Sequence, residues 1–351
     1  MARYLLFATE LYALPVLRPI DAAIRASGGE SAWFAPASFA THLAAPEQLL
    51  RGAADVQRFA PAAVFAASNW VPQFFPGAKV QVFHGFSVDK RSPERGHFRI
   101  RGLFDLYCTQ GPSTTTPFEA LAREHGHFAV AETGWPKLDP LFAPDDGSAA
   151  ALRPADGRPV VLYAATFTEA LSSARALLGE ITAQIARGDR YWLLTLHPKS
   201  DAALVEAYRR LAGPNARFVE SDSLVPALRA ADVLVCDTSS VVSEFVVQRK
   251  PVVTFRNRAP KPHMIDIADP AELESALRRA FAPTDDLVGE LAAYADAIHP
   301  WRDGRSSERV LAAAHDFGAG RFGALARKPV NLWRRLQMRA KLRRFGEAGG
   351  G

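Results

Sequence analysis

The chain has 351 residues, 48% of them hydrophobic and 23% charged, with a formal net charge of +5. This length favours two domains, each large enough for its own core, and the apolar fraction is that of an ordinary globular chain. From Arg321 onward nine arginines and lysines face a single acid, Glu347, so the tail carries +8 and the preceding residues −3; with the basic charge confined to a terminus and no recognition module in view, nucleic-acid binding is argued against.

In chain order, the first eleven residues are too short a run, interrupted too soon by Glu10, for a secretory signal, and no apolar stretch reaches the ~18–20 residues of a membrane span. The expected location is the cytoplasm, peripheral on the inner face of the cell membrane. Strand-like runs at Tyr4–Ala8, Val64–Ala66, Lys79–His84 and Phe104–Thr109 are interspersed with helical stretches at Leu14–Ala26 and Pro117–His125. A segment rich in Pro, Asp, Gly and Ala at Ala143–Pro159 has no periodic apolar face and reads as a linker. The alternation then resumes: strand Val160–Ala164, helix Glu169–Ala186, strand Tyr191–Leu196, helix Asp201–Leu211, strand Val233–Cys236, helix Ser239–Gln248, strand Pro251–Phe255, and helices beyond Pro270. Such alternation predicts an α/β chain of two Rossmann-type domains facing across a cleft, with ligands at the carboxyl ends of the strands. The expected boundaries are 1–145 for an N-terminal domain, 158–317 for a C-terminal domain, and 318–351 for a basic tail that is a candidate membrane-surface segment. Cys108 and Cys236 each end a strand-like run and read as small buried hydrophobes.

The most informative turn is Asp237-Thr238-Ser239-Ser240, between an apolar strand and a helix whose Val241, Val242, Phe245 and Val246 fall at helical spacing. Free backbone N–H groups, hydroxyls and the positive end of the helix dipole suit a phosphate there, although one such residue alone would be an ordinary cap. Glu244 lies within that helix. His84-Gly85 ends another strand, placing an imidazole where it can take a proton and a glycine where backbone can approach a ligand. His197-Pro198-Lys199 repeats the device in the second half. Gly134-Trp135-Pro136-Lys137 presents Lys137 on a turn, Tyr163-Ala-Ala-Thr166 ends a strand on a hydroxyl, and Asp303-Gly304-Arg305-Ser306-Ser307 opens a late helix. Neither a P-loop, nor a dinucleotide-binding glycine fingerprint, nor a Gly-x-Ser-x-Gly elbow is present. His125-Gly-His127 lacks further ligands at metal spacing and reads as a surface loop.

Taken together these motifs resemble those of the CDP-glycerol glycerophosphotransferases, which include teichoic-acid primases and polymerases. The resemblance covers roughly residues 75–315. His84-Gly85-Phe86-Ser87 with Lys90 is similar to the family's His-Gly-Thr-Pro motif, and Gly134-Trp135-Pro136-Lys137-Leu138-Asp139 to its Gly-Asn-Pro-Arg turn. Ala164-Ala165-Thr166-Phe167 resembles the Ala-Pro-Thr-Phe/Trp turn and His197-Pro198 the His-Pro motif. Asp237-Thr238-Ser239-Ser240 resembles Asp-x-Ser-Ser, and Asp303-Gly304-Arg305-Ser306-Ser307 the Asp-Gly-Lys-Ala-Ser motif. Phe86 and Ser87 depart from the pattern, as do Trp135 and Lys137.

The resemblance implies a GT-B fold, a first domain facing the acceptor and a second holding a CDP-linked donor. It implies transfer of glycerol phosphate or a related polyol phosphate from the CDP-polyol to a hydroxyl of a glycan or lipid-linked acceptor, with CMP released and no cofactor or metal invoked. His84 is then the expected general base and His197 a hydrogen-bond donor to the phosphoryl oxygens. Gly85, Lys137, Thr166, Asp237, Thr238, Ser239, Ser240, Glu244, Asp303, Gly304, Arg305, Ser306 and Ser307 are the expected donor- and phosphate-binding set. Two other readings stay open. One is a different GT-B glycosyltransferase or a nucleotide-sugar 2-epimerase, which the run from Asp303 to Arg309 also resembles. The other is an inactive, membrane-associated binding protein. In the tail, Leu332, Trp333, Leu336 and Ala340 share one helical face while Met338, Leu342 and Phe345 fall on another. Lipid headgroups of an anionic membrane surface are its expected partner, with a solvated or disordered basic tail the other reading.

Overall fold

Parallel strands covered on both faces need continuous apolar, β-branched runs, because neither side of the strand meets water. The runs VVLYAA, VLVC and VVTF satisfy this and are buried throughout their length. The computed structural model describes residues 1–86, 97–144, 146–220, 224–330 and 332–347. These form two compact units, Met1–Pro140 with Asp303–Gly351, and Leu141–Arg302. Ser87, Asp89 and Lys90, in the loop after His84, lie outside the described residues.

In the first unit, strands β1 (Arg3–Phe7), β2 (Glu30–Phe34), β3 (Ala63–Ala66), β4 (Ala78–Gln81), β5 (Leu106–Thr109) and β6 (Ala129–Glu132) form one sheet. Their order is β2-β1-β3-β4-β5-β6, and every pairing is parallel. Helices α1 (Leu14–Ala26), α2 (Ala53–Phe59) and α3 (Pro112–His125) connect them, and α4 (Asp139–Phe142) carries the chain out of the unit. The second unit holds β7 (Val160–Ala165), β8 (Tyr191–Leu196), β9 (Ala216–Phe218), β10 (Val233–Cys236), β11 (Val252–Phe255) and β12 (Met264–Ile267). These are ordered β12-β11-β10-β7-β8-β9, again parallel throughout. Its helices are α5 (Ala174–Arg187), α6 (Ala202–Arg209), α7 (Leu224–Ala230), α8 (Val241–Val246), α9 (Leu273–Phe281) and α10 (Asp285–Ile298). Both cysteines are buried and free.

The chain then returns to the first unit through α11 (Ser306–Gly318) and α12 (Leu332–Glu347). Residues 303–317 thus lie with the first sheet, whereas the sequence reading groups them with 158–317. The reason is a buried carboxylate. Asp139 accepts from the backbone N–H groups of Ser306 and Ser307, both at 2.7 Å, and from the Ser307 hydroxyl at 2.6 Å. These N–H groups would otherwise be orphaned at the start of α11, so Asp139 acts as a cap supplied from far away in sequence.

The strand orders matter for function. In each sheet the order reverses once, between β1 and β3 in the first and between β7 and β10 in the second. Open α/β sheets bind ligands at the carboxyl ends of the strands beside such a reversal. The register in the second sheet pairs Ala164 with Cys236 and Ala165 with Leu196. The turns that begin at Thr166, Asp237 and His197 therefore leave the sheet at one level on three adjacent strands.

Candidate functional site

In the first unit the site is built around the loop after β4. His84 is exposed, and its Nδ1 lies 3.1 Å from the carbonyl oxygen of Ala67, which follows β3. A carbonyl can only accept, so this hydrogen bond puts the proton on Nδ1 and leaves the Nε2 lone pair unprotonated in the neutral ring. Tyr12, after β1, has its ring 5.0 Å from the His84 ring. Residues following β1, β3 and β4 thus converge at the sheet's reversal point.

The loop is held from behind. Gln110, fully buried after β5, donates from Nε2 to the Gly85 carbonyl at 2.9 Å, and Trp135 Nε1 donates to the Phe83 carbonyl at 3.4 Å. Phe83 itself adopts a left-handed conformation with φ 55°. A Cβ built on Gly85 would meet nothing within 4 Å, and its φ is not positive, so neither crowding nor backbone conformation within the chain requires glycine there. Phe86 and Trp135, the two aromatic departures from the family pattern, pack edge to face at 4.8 Å, and the Lys137 ammonium lies 5.3 Å from the Trp135 ring. Lys137 is half-buried on the turn after β6.

In the second unit Asp237 is completely buried. Its carboxylate accepts from the N–H of Thr166 at 3.0 and 3.1 Å, from the N–H of Ser173 at 2.9 Å and from the Ser173 hydroxyl at 3.1 Å. Burial pushes its pKa up and these hydrogen bonds oppose the rise. Asp237 therefore organises the turn after β7. Its own backbone is tied to the turn after β11, with Asn257 Nδ2 donating to the Asp237 carbonyl at 3.3 Å and the Arg258 N–H to the Thr238 hydroxyl at 3.1 Å. Ser239 is half-buried and Ser240 exposed. The helix behind them, α8, spans only Val241–Val246, so the dipole of a short helix backs the turn, not that of a long one. Glu244 is buried within α8.

His197, after β8, has the opposite polarity to His84. Its Nδ1 accepts from the Lys199 N–H at 3.1 Å, which places the ring proton on Nε2 and makes that atom a donor. Burial, and then the charge of Lys199, hold its pKa below the usual histidine range, so the ring is neutral at pH 7. Phe167 is exposed, with its ring 4.4 Å from His197 and the Lys199 ammonium 5.8 Å from its face. Thr166, His197 and the Asp237–Ser240 turn are thus brought together at the reversal between β7 and β10.

The last predicted group divides. Ser306 and Ser307 are buried, with their N–H groups and the Ser307 hydroxyl engaged by Asp139. Gly304 has φ 68°, a conformation that favours glycine. Burial raises the Asp303 pKa, but hydrogen bonds from Arg309 and the Arg305 N–H outweigh it and the net shift is downward. Arg305 is exposed and paired with Glu308 at 2.6 Å. These five lie in the first unit with His84. His127 is buried, contrary to the surface-loop reading of His125–His127, because it follows the Gly126 cap of α3 and precedes the core residue Phe128. The residues that sequence reasoning passed over are Tyr12, Gln110, Ser173 and Asn257. Gln110 and Asn257 carried one usable signal, a polar amide just after an apolar strand.

Two parallel six-stranded sheets with polar turns at their reversal points define a GT-B-type α/β protein. Known structures share this fold. The wall teichoic acid polymerase TagF aligns with a TM-score of 0.65 at 15% identity, covering 92% of this chain and 90% of that one. A UDP-N-acetylglucosamine 2-epimerase aligns at 0.62 and 13%, covering 94% and 99%. S. aureus MnaA in complex with UDP aligns at 0.61 and 14%, covering 90% and 97%. No curated protein matches the sequence. Residues 80–261, more than half of the chain, match the family described as CDP-glycerol:poly(glycerophosphate) glycerophosphotransferase, and the chain belongs to that family.

Proposed function

We propose that the protein transfers glycerol phosphate, or a related polyol phosphate, from a CDP-linked donor to a hydroxyl of a cell-surface glycan or lipid-linked acceptor. Family membership supports the donor class, and TagF has been studied with CDPG. The observation that carries the mechanism is the opposite protonation of the two strand-end histidines. His84, with Nδ1–H held by Ala67, offers a basic Nε2; His197, with Nδ1 held by the Lys199 N–H, offers an Nε2–H donor.

In this reading the acceptor oxygen attacks the glycerol-side phosphorus as its proton passes to His84 Nε2. The new P–O bond forms while the bond to the bridging oxygen breaks, and that oxygen leaves with the electron pair as part of CMP. The protein's work is positioning and charge stabilisation. His197 donates to the phosphoryl oxygens, Lys137 adds positive charge, and Thr238, Ser239 and Ser240 hold the pyrophosphate through hydroxyls and N–H groups. Asp237 shapes this turn and the Thr166 turn without touching an anion, since its carboxylate is already saturated by donors. The open space beside Gly85 would let the substrate come close to the chain's backbone there. Asp303, Gly304, Arg305, Ser306 and Ser307 complete the assignment; Ser306 and Ser307 act through the fixed start of α11, and Arg305 through its exposed charge. Glu244, buried in α8, acts behind the pyrophosphate turn. An acceptor carried on lipid puts the enzyme at the inner face of the cell membrane.

The test is CMP release from CDP-glycerol with candidate acceptors. His84→Ala is expected to lower the rate about 10²–10⁴-fold, the range of a lost general base. A rate within threefold of wild type would remove His84 from that role. A nucleotide-sugar 2-epimerase shares the fold, so UDP-N-acetylglucosamine is the control substrate; its epimerisation, without CMP release from any CDP-polyol, would overturn the reading.

A further inference from the structure

The C-terminal helix has two apolar faces, and the first unit uses only one of them. Met338 and Leu342 are buried in that unit's core cluster. On either side of them the Lys341 ammonium lies 4.1 Å from the Trp70 ring and the Arg339 guanidinium 5.4 Å from the Phe74 ring. The approach to the helix and its first turn are fixed as well: Lys328 pairs with Asp105 at 2.7 Å, and Arg334 donates to the Arg101 carbonyl. A helix advances about 100° per residue, so Leu332, Trp333 and Leu336 fall on the side away from Met338 and Leu342. With Val330 just ahead, they are 58 to 70% exposed. Leu332, Trp333 and Leu336 thus make one exposed apolar helix face, with Val330 exposed just before it, a surface of the kind that marks an interaction site.

We propose that Val330, Leu332, Trp333 and Leu336 insert into the headgroup region of an anionic lipid bilayer. Charge selects this occupant. From Arg321 onward nine cations accompany one acid, against a surplus of acids in the preceding 320 residues, and such a segment is attracted to anionic lipid within a Debye length of the surface. Tryptophan favours the interfacial region, and exposed apolar side chains on one helix face suit shallow insertion in the plane of the membrane. Because the opposite face is packed on the protein, this apolar face is presented preformed and no helix has to fold on lipid. The surface is separate from the transfer reading, since lipid binding is measured without donor or acceptor and its failure leaves that chemistry untouched.

The test is flotation of the full-length protein with vesicles of phosphatidylglycerol and phosphatidylcholine, compared with phosphatidylcholine alone, at two salt concentrations. Wild type is expected to float with the anionic vesicles, less at high salt. The double variant Trp333→Ser, Leu336→Ser is expected to partition at least about tenfold more weakly, with unchanged circular dichroism and melting temperature because both side chains are already exposed. Equal flotation of wild type and variant would overturn the proposal. So would no flotation of wild type, or a wild-type dimer in sedimentation that the variant dissociates, which would make a second copy the occupant.

Discussion

At the residue scale, the proposed transfer turns on which nitrogen of each histidine the backbone engages. His84 and His197 read alike in sequence, each a histidine closing an apolar strand, yet one gives Nδ1–H to a carbonyl and the other takes an N–H on Nδ1. A glutamine carries a donor near the position of Nε2, so His197→Gln is expected to retain about tenfold more activity than His197→Ala, a difference of roughly one hydrogen bond in the transition state. Equal rates of CMP release for the two variants would show that the donor is not used. The aromatic departures Phe86 and Trp135, separate in sequence, pack against each other, so they are one solution to holding the His84 loop. A different histidine contributes to the pH dependence of stability. His263 is buried with its ring 3.7 Å from that of Tyr294, and burial, reinforced by Lys261, holds its pKa at about 4. Its folded pKa lies below the unfolded value of about 6.5, so the unfolded chain takes up the proton first as pH falls. The contribution is complete above about pH 6.5 and is lost between there and about pH 4, by on the order of 3 kcal/mol. Urea unfolding across this range should show the decline, and His263→Phe should reduce it, leaving the part due to His97, whose pKa burial likewise lowers to about 4.

At the element scale, the apolar runs recognised in sequence became the interior strands, and the strands passed over were the edges. β2 and β6 border the first sheet, and β12 and β9 the second. Three of these four present half-buried or exposed positions along their length, as in β6, β9 and β12. An edge strand is covered less completely, so it need not carry a continuous apolar run, and periodicity fades where burial does. Helix α11 depends on an element remote in sequence. Removing its cap with Asp139→Ala leaves two buried N–H groups and a hydroxyl without their acceptor and should cost about 2–4 kcal/mol. Asp139→Asn, which keeps one oxygen acceptor, should cost less. Thermal unfolding of both variants checks this, and unchanged melting in the alanine variant would show that α11 does not rely on the cap.

At the scale of the whole molecule, the chain leaves the first unit after Pro140, builds the second, and returns for its last 49 residues. The tail is therefore part of a fold as well as a charged segment. Deleting residues 321–351 removes Met338 and Leu342 from the first unit's core and Lys328 from Asp105. Two buried side chains of this kind are worth about 3–6 kcal/mol. The truncated protein should melt at a lower temperature, which differential scanning calorimetry would register, whereas the surface variant Trp333→Ser, Leu336→Ser should not. A truncation that melts like wild type would mean that the docked face of α12 contributes nothing in solution.

The sequence by itself determined the alternation of strands and helices, the apolar runs of the central strands, the strand-end positions of His84, His197 and Asp237, and the resemblance to the family whose model matches residues 80–261. Each of these is written locally, in periodicity or in the residue that follows a strand. The tertiary structure alone decided the strand orders that put these residues at the reversal points, the proton positions of the two histidines, the capping of α11 by Asp139, and which face of α12 is buried. Those depend on partners far away along the chain, and a hydrogen bond or packing contact across such a separation leaves no mark in the spacing of either segment.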